Sequence, residues 1–111
     1  MMVVIFEVVP VAGRAGEYFE LAKELAAELE RIDGFIAVER FQSLSDPSRY
    51  LSLSTWRDEA AVAAWRRQLD HRAAQAKGKS GIFKDFRIRV AQVIRDYDLA
   101  AARARDATAL R

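Results

Sequence analysis

The chain contains one histidine, His71, and it stands six residues after a tryptophan, Trp65. Histidine is the only side chain whose ordinary pKa lets it give and take protons near neutrality, so a proton-transfer role falls to His71 first. A cap or a surface hydrogen bond is its structural alternative. Trp65 offers a flat apolar wall for a ring, or packs into the core as aromatics at helical spacing generally do. Gln75 and Phe83 follow and complete a cluster beginning on a predicted helix. Glu7 is a carboxylate inside an otherwise apolar strand, where it needs a partner or a wet pocket. Arg40 and Trp56 fall on predicted strands, either as strand and interface residues or as ligand contacts.

Other chemistries are excluded by what the 111 residues lack. With no cysteine there is no disulfide scaffold, no iron–sulfur or cysteine zinc site and no thiol nucleophile. A single histidine argues against a histidine metal cage within one subunit. Gly78-Lys79-Ser80 imitates the end of a phosphate-binding loop, but Ala73 stands where that motif needs glycine, and a helix rather than a strand precedes it. The strand Tyr50–Trp56 lacks the glycines and basic start of an RNA-recognition strand, so nucleic acid is not expected as a partner. Residues 1–56 carry 5 basic and 9 acidic side chains and residues 57–111 carry 13 and 7, for a net charge of +2. That asymmetry suits subunit pairing as well as any ligand. No apolar run approaches the roughly 20 residues of a membrane span, and Glu7 interrupts the N-terminal one. The expectation is a soluble cytoplasmic domain with no membrane partner.

The elements that must position these residues follow from periodicity. Met2–Val9 is β-branched and apolar, a strand buried on both faces. Tyr18, Leu21, Ala22, Leu25, Leu29 and Ile32 form the stripe of an amphipathic helix, ended by Asp33-Gly34. Phe35–Gln42 and Tyr50–Trp56 read as strands around the Ser45–Ser48 turn. In the second of these, Leu51, Leu53 and Thr55 point to one face and Tyr50, Ser52, Ser54 and Trp56 to the other. Asp58 caps a helix through Val62, Trp65 and Leu69, with a kink near Asp70 and a continuation over His71–Lys77. Phe86–Tyr97 alternates as a long strand, and Asp98–Arg111 is a helix-prone tail beyond a domain spanning 2–97.

The order β-α-β-β-α-β predicts an α+β, ferredoxin-like subunit with a four-stranded antiparallel sheet. Helices cover one face of such a sheet. The first strand is apolar on both, so a second copy of the chain is the economical cover, and a homodimer is expected.

Gly34-Phe35, Glu39-Arg40-Phe41, Trp56-Arg-Asp-Glu-Ala60, Ala64-Trp65 and His71-Arg72 resemble the antibiotic biosynthesis monooxygenase family over about residues 2–97. The most specific element is W-x-x-E-A-x-x-x-x-W-x-x-x-x-x-H from Trp56 to His71. The resemblance implies a dimeric α+β barrel. Its haem-degrading branch asks for Asn, Trp and His where this chain has Glu7, Trp65 and Gln75, so only Trp65 matches, with His71 one turn before the ligand position. Its cofactor-free branch asks for a Trp with polar partners one turn before and six residues after it; here these are Ala61 and His71. The activity implied is oxidation of a small aromatic quinol or anthrone by O₂ without metal or organic cofactor. His71 and Trp65 would be catalytic, with Glu7, Arg40, Trp56, Gln75 and Phe83 contacting substrate. A non-catalytic dimeric ligand-binding module and a haem-degrading enzyme are the alternatives.

Overall fold

The computed structural model describes residues 1–75 and 81–109, with side chains for 1–69 and 81–104. The elements run β1 (Met2–Pro10), α1 (Ala15–Leu29), β2 (Phe35–Gln42), β3 (Tyr50–Trp56), α2 (Glu59–Gln75), β4 (Phe83–Gln92) and α3 (Leu99–Ala109). One antiparallel sheet has the order β2-β3-β1-β4, the ferredoxin-like arrangement.

β1 is central, and its alternation divides the molecule. Val4 and Val8 are almost completely buried beneath the helices. Direct partners across an antiparallel ladder share a face, so Val4 and Phe6 bring Ser54 and Ser52 of β3, and Val90 and Ile88 of β4, to the helical side. Ile5 and Glu7 bring Leu53, Leu51, Arg89 and Arg87 to the other side, away from the described core beneath the helices. Two core clusters lie under the helices. One joins Val4, Trp56, Ala61 and Val62, and the other Val8, Tyr18, Ala22 and Ile82.

Three boundaries differ from expectation, each for a local reason. α1 ends at Leu29, before Gly34. Arg31, Ile32 and Phe35 amides bond back to Glu28, Leu29 and Ile32 carbonyls, a series of tight turns, and Gly34 at φ +93° then redirects the chain into β2. β4 covers Phe83–Gln92 rather than Phe86–Tyr97 because its ladder partner sets its ends: Pro10 pairs with Phe83 and Met2 with Gln92. The Val93 amide closes the pairing on the Met1 carbonyl at 3.0 Å. α2 runs through Asp70 to Gln75 as one helix, without the expected kink. Its start agrees with the sequence, since Asp58 Oδ1 accepts the Ala61 amide at 2.9 Å. The expected Gly78-Lys79-Ser80 turn lies outside the described residues. No described helix is long and apolar enough to cross a membrane.

Candidate functional site

Between α1, α2 and the helical face of the sheet lies a cavity of about 60 Å³. α1 contributes Leu25 and Leu29 and α2 contributes Trp65 and Leu69, each helix burying its stripe at three- and four-residue spacing. The floor is Val4 and Phe6 of β1 with Ser52 and Ser54 of β3. Arg40 enters from β2, opposite Ser52 in the ladder.

Arg40 is held in place from α1. One Nη donates to the Ala22 carbonyl at 2.6 Å, joining β2 to a helix eighteen residues earlier in the chain. No carboxylate among the described residues lies within ion-pair distance of this guanidinium, in contrast to Arg57, which faces Asp33 at 3.1 Å and Asp58 at 3.1 Å. Tyr18 is buried at the same end of the cavity, and burial pushes its phenol above the ordinary range. The positive charge of Arg40 acts in the opposite direction with smaller effect. Tyr18 is therefore a neutral phenol at physiological pH.

Trp65 does two things at once. It packs against the cluster of Val4, Trp56, Ala61 and Val62, with its ring 6.3 Å from that of Trp56, and it remains half-buried as a wall of the cavity. Core and pocket were alternatives in the sequence; in the fold one side chain serves both.

The other expected contacts separate. Trp56 is fully buried, lines no part of the cavity and donates its indole N–H to Ser54 Oγ at 2.9 Å, so it is a core residue. Phe83 packs edge-on to Phe6 and Tyr18 at centroid distances of 6.0 Å each, within the second core cluster. Glu7 lies on the other face of the sheet and is a correction to its placement beside the substrate. Its carboxylate is 3.4 Å from Arg89 and 3.8 Å from Arg49, which supplies the partner that a charge in an apolar strand requires. His71 and Gln75 belong to α2, and their side chains lie outside the described residues. Of the expected contacts the structure thus brings Arg40 and Trp65 to the cavity.

Tyr18, Ser52 and Ser54 were missed as site residues. The signal for the serines was present, because strand parity puts them on the same face as Trp56. Tyr18 carried no such mark; it reads as one more apolar position of the α1 stripe. Chemically, the described arrangement is an apolar slot edged by the Arg40 guanidinium, with no described carboxylate against it, and by the phenol of Tyr18. Among the described residues no group of three or more His, Asp or Glu converges in a way that would hold a metal ion.

Comparison with known proteins extends this picture. Residues 1–77 match the family model described as antibiotic biosynthesis monooxygenase. A jasmonate monooxygenase of Pyricularia oryzae is 46% identical over 93 residues, which are 84% of this chain and 43% of that protein, so the chain spans less than half the length of this relative. Among solved structures, an antibiotic biosynthesis monooxygenase-type protein of Deinococcus radiodurans superposes with a TM-score of 0.75 at 17% identity, covering 89% of this chain and 98% of that one. SnoaB, a cofactor-independent oxygenase from Streptomyces nogalater, gives 0.69 at 15% identity over 86% and 94% of the two chains. A MhuD variant with two manganese protoporphyrin IX molecules per active site gives 0.72 at 18% over 88% and 99%. At these identities the three structures establish the shared fold. The family match over 1–77, together with the 46% identical relative, shows that this chain belongs to the antibiotic biosynthesis monooxygenase family.

Proposed function

We propose that the chain is a cofactor-independent monooxygenase that oxidises a small aromatic quinol or anthrone with O₂ in the cleft beside Trp65. The observation that carries this reading is the cavity itself: an apolar slot, walled by an indole and edged by one cation, in a chain of a monooxygenase family. Direct reaction of triplet O₂ with a closed-shell molecule is spin-forbidden, so the substrate must first become an electron-rich anion that can give up one electron. In this proposal His71 is the base that removes the proton. Arg40, a cation lining the same cavity, contributes positive potential to the slot in which that anion forms, without contacting the reacting carbon. Recombination of the radical pair forms a C–O bond and a peroxide. Protonation to the hydroperoxide and loss of water across the O–O bond then leave a carbonyl, so that a CH₂ group and O₂ become C=O and H₂O, with all four electrons taken up by O₂ drawn from the substrate. Trp65 and the leucines keep the pair dry.

A ligand pocket commonly measures at least about 300 Å³. The present cavity, about 60 Å³, is smaller than this, so in this proposal substrate entry requires the slot to widen between α1 and α2. We assign this activity to residues 2–97 of a homodimer working in the cytoplasm. The other face of the sheet supports the pairing, since Val3, Ile5, Leu51 and Leu53 lie there, only half-buried among the described residues.

One observation favours a second substrate. The 46% identical relative is named for jasmonate, a small carboxylate, and a carboxylate suits a cleft edged by a guanidinium that has no carboxylate partner among the described residues. O₂ consumption under metal-free conditions, with a panel of quinols, anthrones and jasmonate, separates the readings. Turnover of a quinol or anthrone that falls by a factor of ~100 or more in His71→Ala, the usual weight of a general base, supports the first. Unchanged turnover in that variant removes His71 as the base. Silence across the whole panel favours a non-catalytic module. A Soret shift on adding haemin that is lost in His71→Ala redirects the assignment to haem.

A further inference from the structure

We propose that Arg40 is the specificity-determining residue of the cleft and binds a carboxylate carried by the substrate, so that the ligand is an amphipathic organic acid with its apolar body toward Trp65. The inference rests on the reading of the cleft as a ligand site and goes beyond it by naming the charged group and its partner.

Three features converge on this assignment. First, Arg40 is the cation of the cleft, and no carboxylate among the described residues neutralises it. Glu39, its neighbour on β2, pairs with Leu53 on the other face of the sheet, and Glu7 on that face is committed to Arg49 and Arg89. Second, the guanidinium is oriented before any ligand arrives. One Nη is held by the Ala22 carbonyl at 2.6 Å, and the remaining N–H groups of its planar fork match the two oxygens of a carboxylate. Third, Arg40 keeps much of its surface in water while Val4, Trp65 and Leu69, which line the same slot, are buried or half-buried. A permanently ionised group is stable at such a wet edge. A phenolate or carbanion about to meet O₂ gains reactivity in the dry part, away from solvent. The geometry thus separates the place where the substrate is held from the place where it reacts.

The test compares a matched pair of probes, 1-naphthylacetate and its methyl ester, by calorimetric titration of the full chain at pH 7.5. The acid is expected to bind the wild-type protein at least about tenfold more tightly than the ester, the scale of a charge-assisted hydrogen-bonded pair. Arg40→Gln removes the charge and keeps a polar side chain, although its amide ends two atoms short of the Nη that meets the Ala22 carbonyl. It is expected to abolish the preference while leaving ester affinity within about twofold, and Arg40→Lys is expected to restore part of it. Thermal melts of both variants establish that they fold. Equal binding of acid and ester by the wild-type protein overturns the proposal. So does an equal loss of both ligands in Arg40→Gln, which would mark Arg40 as a structural tie alone. If neither probe binds at millimolar concentration, the cleft as a ligand site falls and the proposal falls with it. Acid binding together with no O₂ consumption across the panel of quinols, anthrones and jasmonate overturns the oxygenase reading and leaves the anchor standing.

Discussion

The indole N–H of Trp56 donates to the hydroxyl of Ser54 at 2.9 Å, two residues away along β3, in a core closed to water. The two side chains share the helical face of the strand, so the bond runs along the sheet surface rather than across a ladder. It solves the problem raised by burying a tryptophan completely, which is that its single donor must find an acceptor. Ser54→Ala leaves that donor unsatisfied and is expected to lower stability by about 1–3 kcal/mol. Trp56→Ala, which also empties the space beneath Ala61 and Val62, is expected to cost about 3–5 kcal/mol. Urea unfolding followed by circular dichroism measures both, and an unchanged midpoint in Ser54→Ala would show the bond to be dispensable.

Gly34 combines two constraints. Its φ of +93° is unfavourable for any residue with a side chain, and a Cβ placed there would stand 2.6 Å from the Cβ of Ala61. A methyl carbon attached directly to a helix backbone cannot swing aside, so α2 itself would have to move. Gly34→Ala is expected to destabilise by more than about 2 kcal/mol, above the backbone term alone. In the double variant with Ala61→Gly the contact is relieved and the backbone cost remains, so partial recovery is expected. Full additivity of the two changes would refute the contact.

Asp33, Arg57 and Asp58 form an exposed triad that ties the loop before β2 to the start of α2. The Arg57 guanidinium, through its hydrogen bonds, holds Asp33 below the usual carboxylate range. The Ala61 amide is the first cause of the same lowering in Asp58, followed by Arg57. A carboxyl with a depressed pKa in the folded state adds stability above its unfolded pKa, and that contribution is lost as pH falls through the lower folded value. Stability is therefore expected to decline below about pH 4, and Arg57→Gln is expected to flatten that decline. Melting temperatures between pH 2 and pH 6 supply the comparison; superimposable curves would deny the triad any part in acid unfolding.

Ile5 and Leu53 are direct ladder partners on the face of the sheet opposite Val4 and Val8. If two copies meet there, Leu53→Lys places a charge in the middle of the contact, where burial without a partner is costly. Analytical ultracentrifugation at low micromolar concentration is expected to show a dimer for the wild-type protein and a monomer or an unfolded chain for Leu53→Lys. A stable wild-type monomer would remove the dimer from the functional reading.

The sheet was readable because alternation and turn chemistry are local. β2 and β3 occupy the stretches predicted, and Asp58 caps α2 as its position implied. β4 was displaced because a strand's ends are set by its ladder partner, and nothing in Phe86–Tyr97 records where β1 begins. Of the site, Trp65 and Arg40 were recoverable as an aromatic on a helical stripe and a cation on a strand. Tyr18 was hidden in plain apolar periodicity. Glu7 was correctly read as needing a partner, but the arginines that meet it come from positions 49 and 89, a long-range pairing that only the fold reveals. The role of a ring such as Phe83 is equally non-local, since Phe6 and Tyr18 decide it.

The two indoles, 6.3 Å apart and tilted 51° to each other, make an optical pair in which excitation passes between a ring sealed in the interior and one bordering the slot. Because the excitation is shared, the emission of the pair is expected to respond both to unfolding around Trp56 and to occupation of the slot beside Trp65. An unlabelled sample can report both from a single spectrum.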